Sequence, residues 1–122
     1  MRKGLILFAH GSPDPQWHHH IESIRKIIEE NTNDLRIACA YINFTKPNLH
    51  EAAEVLIKEG VSHLTIIPIF LGVGQHLQKD LPMLLSQLAH DQPDIKIKCS
   101  KPIGENERVL QLLAKIAVSE ID

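Results

Sequence analysis

In KGLILFAHGS, residues 3–12, the first seven residues form a near-continuous apolar run, and a turn follows at once. A strand covered by helices on both faces has this pattern, whereas a strand with one wet face alternates. The run therefore predicts a buried parallel strand over residues 3–9. Reading outward, a helix is expected from about Pro15 to Glu30, with Trp17, Ile21, Ile24 and Ile28 on one face. LRIACAYI (35–42) reads as the second strand. Pro47 opens a second helix that presents Leu49, Ala52, Ala53 and Leu56, and Gly60 is its expected C′ residue. HLTIIPIF (63–70) is the third strand, and Pro68 implies that regular pairing stops near it. After the loop LGVGQH, a third helix is expected to start around Asp80–Pro82, its apolar stripe being Leu77, Leu81, Leu84, Leu85 and Leu88. DIKIKCS (94–100) alternates like an edge strand. A last helix from about Asn106 carries Val109, Leu112, Leu113 and Ile116. Strict alternation of strand and helix predicts an α/β fold with a four-stranded parallel sheet between helix layers, in one domain spanning residues 1–122.

Composition narrows the function. Apolar residues make up 43% and charged residues 23% of the 122, as in a soluble globular protein. No apolar run reaches the ~18 residues of a membrane span, and the N-terminus is unlike a signal peptide, so a cytoplasmic, membrane-free protein is expected. The net charge of −2 comes without a basic run, which argues against nucleic acid as a partner. Cys39 and Cys99 lie in strand-like segments without C-x-x-C spacing and read as reduced, partly buried thiols.

In parallel sheets of this kind ligands bind beyond the carboxyl ends of the strands. That edge holds HGSPD, NFTKP and LGVGQH. His10 follows the first strand directly, and His76 closes the loop after the third. Either alone reads as a loop histidine bonded to backbone; two at the ligand edge read as a pair able to converge. His18, His19 and His20 are more conspicuous, but successive helical residues point about 100° apart, so three in a row fan around the helix. They are expected to be solvated, with His18 and Glu22 one turn apart as a weak surface metal site at most. His50, His63 and His90 have no evident partner. LGVGQH lacks the Gly-Lys-Ser/Thr ending of a P-loop and the third glycine of a dinucleotide fingerprint, so no nucleotide is expected. Gly72 and Gly74 suit close approach of backbone to a flat ligand.

Three segments together, AHGSPDP, KPNLHEAAEVLIKEGVSHLTIIPIFLGVGQHLQKDLP and KPIGENERVLQLL, resemble the small class II chelatases, the CbiX-type sirohydrochlorin chelatases of cobalamin, siroheme and coenzyme F430 synthesis. The most specific part is PIFLGVGQHLQKDLP, with His10-Gly11-Ser12 as a second anchor. The resemblance implies a flavodoxin-like three-layer sandwich and ATP-independent insertion of Co²⁺, Ni²⁺ or Fe²⁺ into sirohydrochlorin by a homodimer. It implies that His10 and His76 bind the metal, that His10 also accepts a proton, and that Lys46 and the segment Leu71, Gly72, Val73, Gly74, Gln75 and His76 contact substrate. The residue types suit that chemistry. Two neutral imidazoles hold such a cation while leaving coordination positions free for transfer. Imidazole also exchanges protons near neutrality, although one nitrogen cannot be ligand and proton carrier at once. Lysines such as Lys46 and Lys79 suit a carboxylate-rich substrate. One position departs from the family pattern: Asn43 stands where an acidic residue is common, four before the proline of KPNL. An amide accepts no proton at neutral pH, which leaves a non-catalytic tetrapyrrole or metal carrier of the same fold as the alternative.

Overall fold

A computed structural model describes residues 2–43 and 45–121, with the backbone but not the side chain of His76. Four strands, β1 (Arg2–Ala9), β2 (Leu35–Tyr41), β3 (Val61–Pro68) and β4 (Lys96–Cys99), form one sheet in the order β2-β1-β3-β4. All three pairings are parallel. The helices are α1 (His19–Asn31), α2 (Leu49–Lys58), α3 (Gln75–Asp91) and α4 (Glu107–Ser119). The expected alternation is therefore present.

The apolar run of β1 is buried because it fills both faces. Ile6 and Phe8 point to one side with Ala40, Leu64 and Ile66, where Leu49, Ala52, Ala53 and Leu56 of α2 and Leu77 and Leu88 of α3 pack. Leu7 and Ala9 point to the other with Cys39, Tyr41 and Ile21 of α1. Each large side chain buried this way stabilises the fold by about 1.5–3 kcal/mol. At α2, Asn48 and Glu51 form a reciprocal capping box, and Gly60, with φ of 98°, ends the helix as expected.

Three elements differ from the sequence reading. Residues Pro15–His18 form a 3₁₀ turn before α1 starts. Three residues per turn shift the phase of the stripe, so Trp17 leaves it and is 72% exposed. Helix α3 starts at Gln75, not near Asp80, and carries Pro82 inside it. Proline forfeits one backbone bond there, but Leu77 is buried and Leu81 packs against the same core, which holds the first turns in helical register. The third difference is α4. It has the expected extent, yet none of its residues is buried, and Leu112, Leu113 and Ile116 are exposed.

The strand order fixes where a ligand can enter. From β1 the chain moves outward to β2, and β3 then returns to the other side of β1. Connections leaving β1 and β3 run to opposite faces, α1 to one and α3 to the other. A crevice must open between their carboxyl ends.

Candidate functional site

His10 stands at that crevice, exposed, on the first residue after β1. Its backbone carbonyl accepts a hydrogen bond from Asn43 N at 2.9 Å, and Ala9 O accepts from Ile42 N at 3.0 Å, so the ends of β1 and β2 are locked together. Gly11 turns the chain with φ of 85°. A side chain there would collide with the Asn43 carbonyl. The His10 ring packs edge-on against Phe70, centroids 4.3 Å apart. Phe70 itself is buried and rests on Phe8. The imidazole therefore has a rigid floor and an open upper side.

That open side faces a cavity of about 550 Å³, lined by His10, Ile42 and Asn43 on one wall and by Gly74, Leu77, Asp80, Met83, Leu84 and Gln87 on the other. The α3 wall was legible only in part. Asp80 reads from sequence as a cap because it precedes a proline; with the helix starting at Gln75, it becomes a wall residue. The spacing 80, 83, 84, 87 was the available signal, a single helical face.

The expected site residues fall in two places. His10 and Gly74 line the cavity together. Leu71, Gly72 and Val73 form the loop leading from β3 into α3, with Leu71 and Gly72 exposed and Val73 half-buried against the core. Gln75 is the first residue of α3 and exposed. His76 is the second, and its side chain lies outside the described residues. Lys46 lies elsewhere, in a groove of about 690 Å³ along the free edge of β2 between α1 and α2, with His18, Arg25 and Arg36. Its ammonium is 3.6 Å from Glu51 and largely solvated. Among the described residues, no cluster of three or more His, Cys, Asp or Glu side chains is placed to cage a metal ion.

The histidine triplet divides. His19 and His20 are exposed as expected. His18 is not a solvated ring: its Nε2 accepts from Ser12 N at 3.1 Å, and the ring lies against Tyr41, centroids 4.7 Å apart. Thr45 Oγ1 donates to Ser12 O at 3.0 Å and sits 3.0 Å from the same Nε2. The pair ties the loop after β1 to the loop after β2. This role was hidden in the sequence because it depends on the 3₁₀ turn that redirects residue 18. His50 also has a neighbour, Asp91 at 3.5 Å, and His63 Nδ1 meets Ser62 Oγ at 3.1 Å.

Beneath this loop pair, burial pushes the Cys39 thiol up to about 12 and the Tyr41 phenol up to about 12. Both groups are kept neutral by the fold. A raised folded-state value means that the associated stability is complete below the ordinary thiol value of 9.0 and is lost as pH climbs toward about 12. Thermal midpoints measured across that window are expected to fall steadily, and Cys39 is expected to resist thiol reagents at neutral pH. Fast labelling of Cys39 in the folded protein would contradict its burial.

Fold and site together define a parallel α/β protein of flavodoxin-like type that carries an exposed histidine at its topological switch point. The chain belongs to the CbiX family, whose model matches residues 4–119. It is 28% identical to a sirohydrochlorin cobaltochelatase of Sulfurisphaera tokodaii over 97% of this chain and 92% of that one. It is also 28% identical to a sirohydrochlorin cobaltochelatase of Methanosarcina acetivorans over 92% of each. Among solved structures, a CbiX protein of Marinobacter aquaeolei VT8, assigned to cobalamin (vitamin B12) biosynthesis, superposes with a TM-score of 0.83 at 30% identity, covering 97% of this chain and 96% of its own. The sirohydrochlorin chelatase SirB of Bacillus subtilis subspecies spizizenii, solved with cobalt, shares the fold with a TM-score of 0.82 at 20% identity; 98% of this chain covers 51% of SirB.

Proposed function

We propose that the protein is a sirohydrochlorin chelatase that inserts a divalent metal into the macrocycle without ATP. The observation that carries this reading is His10: an exposed imidazole on a rigid ledge, turned toward a cavity at the switch point of the sheet. The cobaltochelatase names of the relatives support cobalt as the first metal to test, with Ni²⁺ and Fe²⁺ beside it. In this reading His10 and His76 hold the ion through neutral imidazoles and leave its remaining positions open to the pyrrole nitrogens. Insertion breaks the inner pyrrole N–H bonds, forms metal–nitrogen bonds in their place and releases the protons. His10 takes up a proton once its nitrogen has given up the metal. Asp80, on the facing wall of the cavity, supplies a carboxylate where Asn43 has only an amide. Leu71 to Gln75 border the entering macrocycle, and Lys46 pairs with a peripheral carboxylate. Residues 1–122 act as one such domain in the cytoplasm. Two copies form the working unit, a reading supported by the length of SirB, of which this chain covers 51%.

The test is the visible absorbance of sirohydrochlorin during metal insertion, comparing Co²⁺, Ni²⁺ and Fe²⁺ at equal concentration. The expected result is acceleration over the uncatalysed reaction, greatest with cobalt. Tight binding of sirohydrochlorin with no acceleration by any of the three metals would overturn the enzymatic reading. It would favour the second one, a tetrapyrrole or metal carrier, which the amide of Asn43 at the cavity wall supports. In that case Asn43→Glu is expected to raise the insertion rate.

A further inference from the structure

His18 is the half-buried member of the histidine triplet, and its ring bears on two loops at the ligand edge. Two routes lead from it to His10. The first is short: Ser12 N donates to His18 Nε2 at 3.1 Å, and Ser12 belongs to the same turn as His10 and Gly11. The second passes through Thr45. Its Oγ1 sits 3.0 Å from His18 Nε2, its N donates to Asn43 O at 2.8 Å, and Asn43 N donates to His10 O at 2.9 Å. Tyr41, buried at the end of β2, packs against the imidazole with the planes tilted by 44° and restricts where Nε2 points.

One nitrogen cannot serve both partners in the same state. Ser12 N is a donor and needs the Nε2 lone pair. Thr45 spends its single hydroxyl proton on Ser12 O, at 3.0 Å, so toward Nε2 it offers only a lone pair. An unprotonated Nε2 therefore satisfies Ser12 and leaves no proton between itself and Thr45. A protonated Nε2 donates to Thr45 Oγ1 in a charge-assisted bond, and the Ser12 N–H loses its acceptor. The ionisable groups around the ring are Glu22 and Arg25 of α1, Cys39 and Tyr41 of β2, Asp14 of the loop after β1 and Lys46 of the loop after β2. Glu22 and Arg25 stand 3.6 Å apart and offset one another, and Lys46 is offset by Glu51. Asp14 is spent on the cap of the 3₁₀ turn, and burial keeps Cys39 and Tyr41 neutral. The choice between Ser12 and Thr45 is left to the ring's own proton.

We infer that His18 is a positioning residue for the turn that carries His10, and that it exchanges Ser12 for Thr45 as its partner when it takes up a proton. This rests on the role of His10 proposed above and adds a residue that acts through that turn. With the ring unprotonated the turn is held at both ends, His10 O by Asn43 N and Ser12 N by His18. Protonation from solvent releases the second hold and keeps only the loop after β2 on the ring. In acid, His10 then loses its setting in addition to whatever its own protonation costs.

Magnetic resonance on the unsubstituted chain gives the first arm of the test and needs no turnover. A nitrogen–nitrogen coupling across Ser12 N–H and His18 Nε2 is expected at about pH 8 and is expected to vanish at about pH 5, either side of the ordinary imidazole range, as Nε2 gains its own proton. A coupling missing at the higher pH, or unchanged at the lower, overturns the exchange of partners. Turnover gives the second arm. His18→Phe keeps a ring against Tyr41 but neither accepts nor donates. It is expected to lower kcat for cobalt insertion roughly 10–100-fold with little change in KM. His18→Gln, whose amide oxygen can accept from Ser12 N, is expected to recover most of that kcat and to lose less of it than the unsubstituted chain in acid. Undiminished kcat in a folded His18→Phe, or the same pH profile for His18→Gln and the unsubstituted chain, sinks the positioning role. If His18→Phe does not fold, the coupling and the His18→Gln profile decide. An unsubstituted chain that inserts no metal sinks the chelatase reading instead, and the coupling alone then decides for His18.

Discussion

Replacing His10 by alanine is expected to lower the rate of cobalt insertion into sirohydrochlorin by about 10²-fold or more, with little change in thermal midpoint. The kinetic part follows from the proposed double use of one imidazole, since loss of a positioned proton carrier alone costs about 10²–10⁴-fold. The stability part follows from geometry. The His10 side chain is exposed, and its backbone bond to Asn43 survives the substitution. Asp80→Asn tests the facing wall and is expected to cost less, roughly tenfold, as a group acting around the ion rather than on it. Cobalt binding measured by calorimetry separates the two uses of His10. Lost binding points to the ligand role; retained binding with lost turnover points to the proton. An unchanged insertion rate in His10→Ala would remove His10 from the chemistry and leave the cavity as a binding site alone.

The position of His10 at the ligand edge was legible because three signals agreed on it. The apolar run of residues 3–9 had the pattern of a doubly buried strand, the alternation of elements implied a parallel sheet, and such sheets place ligands beyond strand ends. The facing wall was obscured by Pro82. Local propensity places a helix start at a proline, but burial of Leu77 and packing of Leu81 against the core outweigh one lost backbone bond. His18 was misread for a similar reason. A uniform helical phase sends its ring to solvent, whereas the 3₁₀ turn at Pro15–His18 brings it to Ser12 and Tyr41. The conspicuous triplet thus contributes one ring that holds the loop beside His10 in place. The extent of α4 was legible, but its apolar stripe did not foretell burial, since Leu112, Leu113 and Ile116 are exposed.

The second large effect is expected at Gly11→Ala, a change of one methyl group. With φ at 85°, Gly11 occupies backbone that L side chains avoid at a cost of about 1–2 kcal/mol. The added methyl would also meet the Asn43 carbonyl and crowd the Tyr41 side chain. Neither can yield cheaply. Asn43 is bonded to His10 through its own N–H, and Tyr41 is buried in the α1-side core. The substitution is expected to cost about 3 kcal/mol in all, a drop in Tm on the order of 10 °C, and to abolish most insertion activity by displacing His10. Gly72→Ala and Gly74→Ala provide the contrast. Neither glycine has any atom within 4 Å of the added carbon, so Tm is expected to hold steady or rise slightly. If the backbone at Gly72 and Gly74 approaches a flat macrocycle closely, the alanines raise KM for sirohydrochlorin without touching stability. Equal losses of Tm at Gly11 and Gly72 would contradict the assignment of strain to the His10 turn. Normal KM in both loop variants would show that the glycines of LGVGQH serve the chain rather than the substrate.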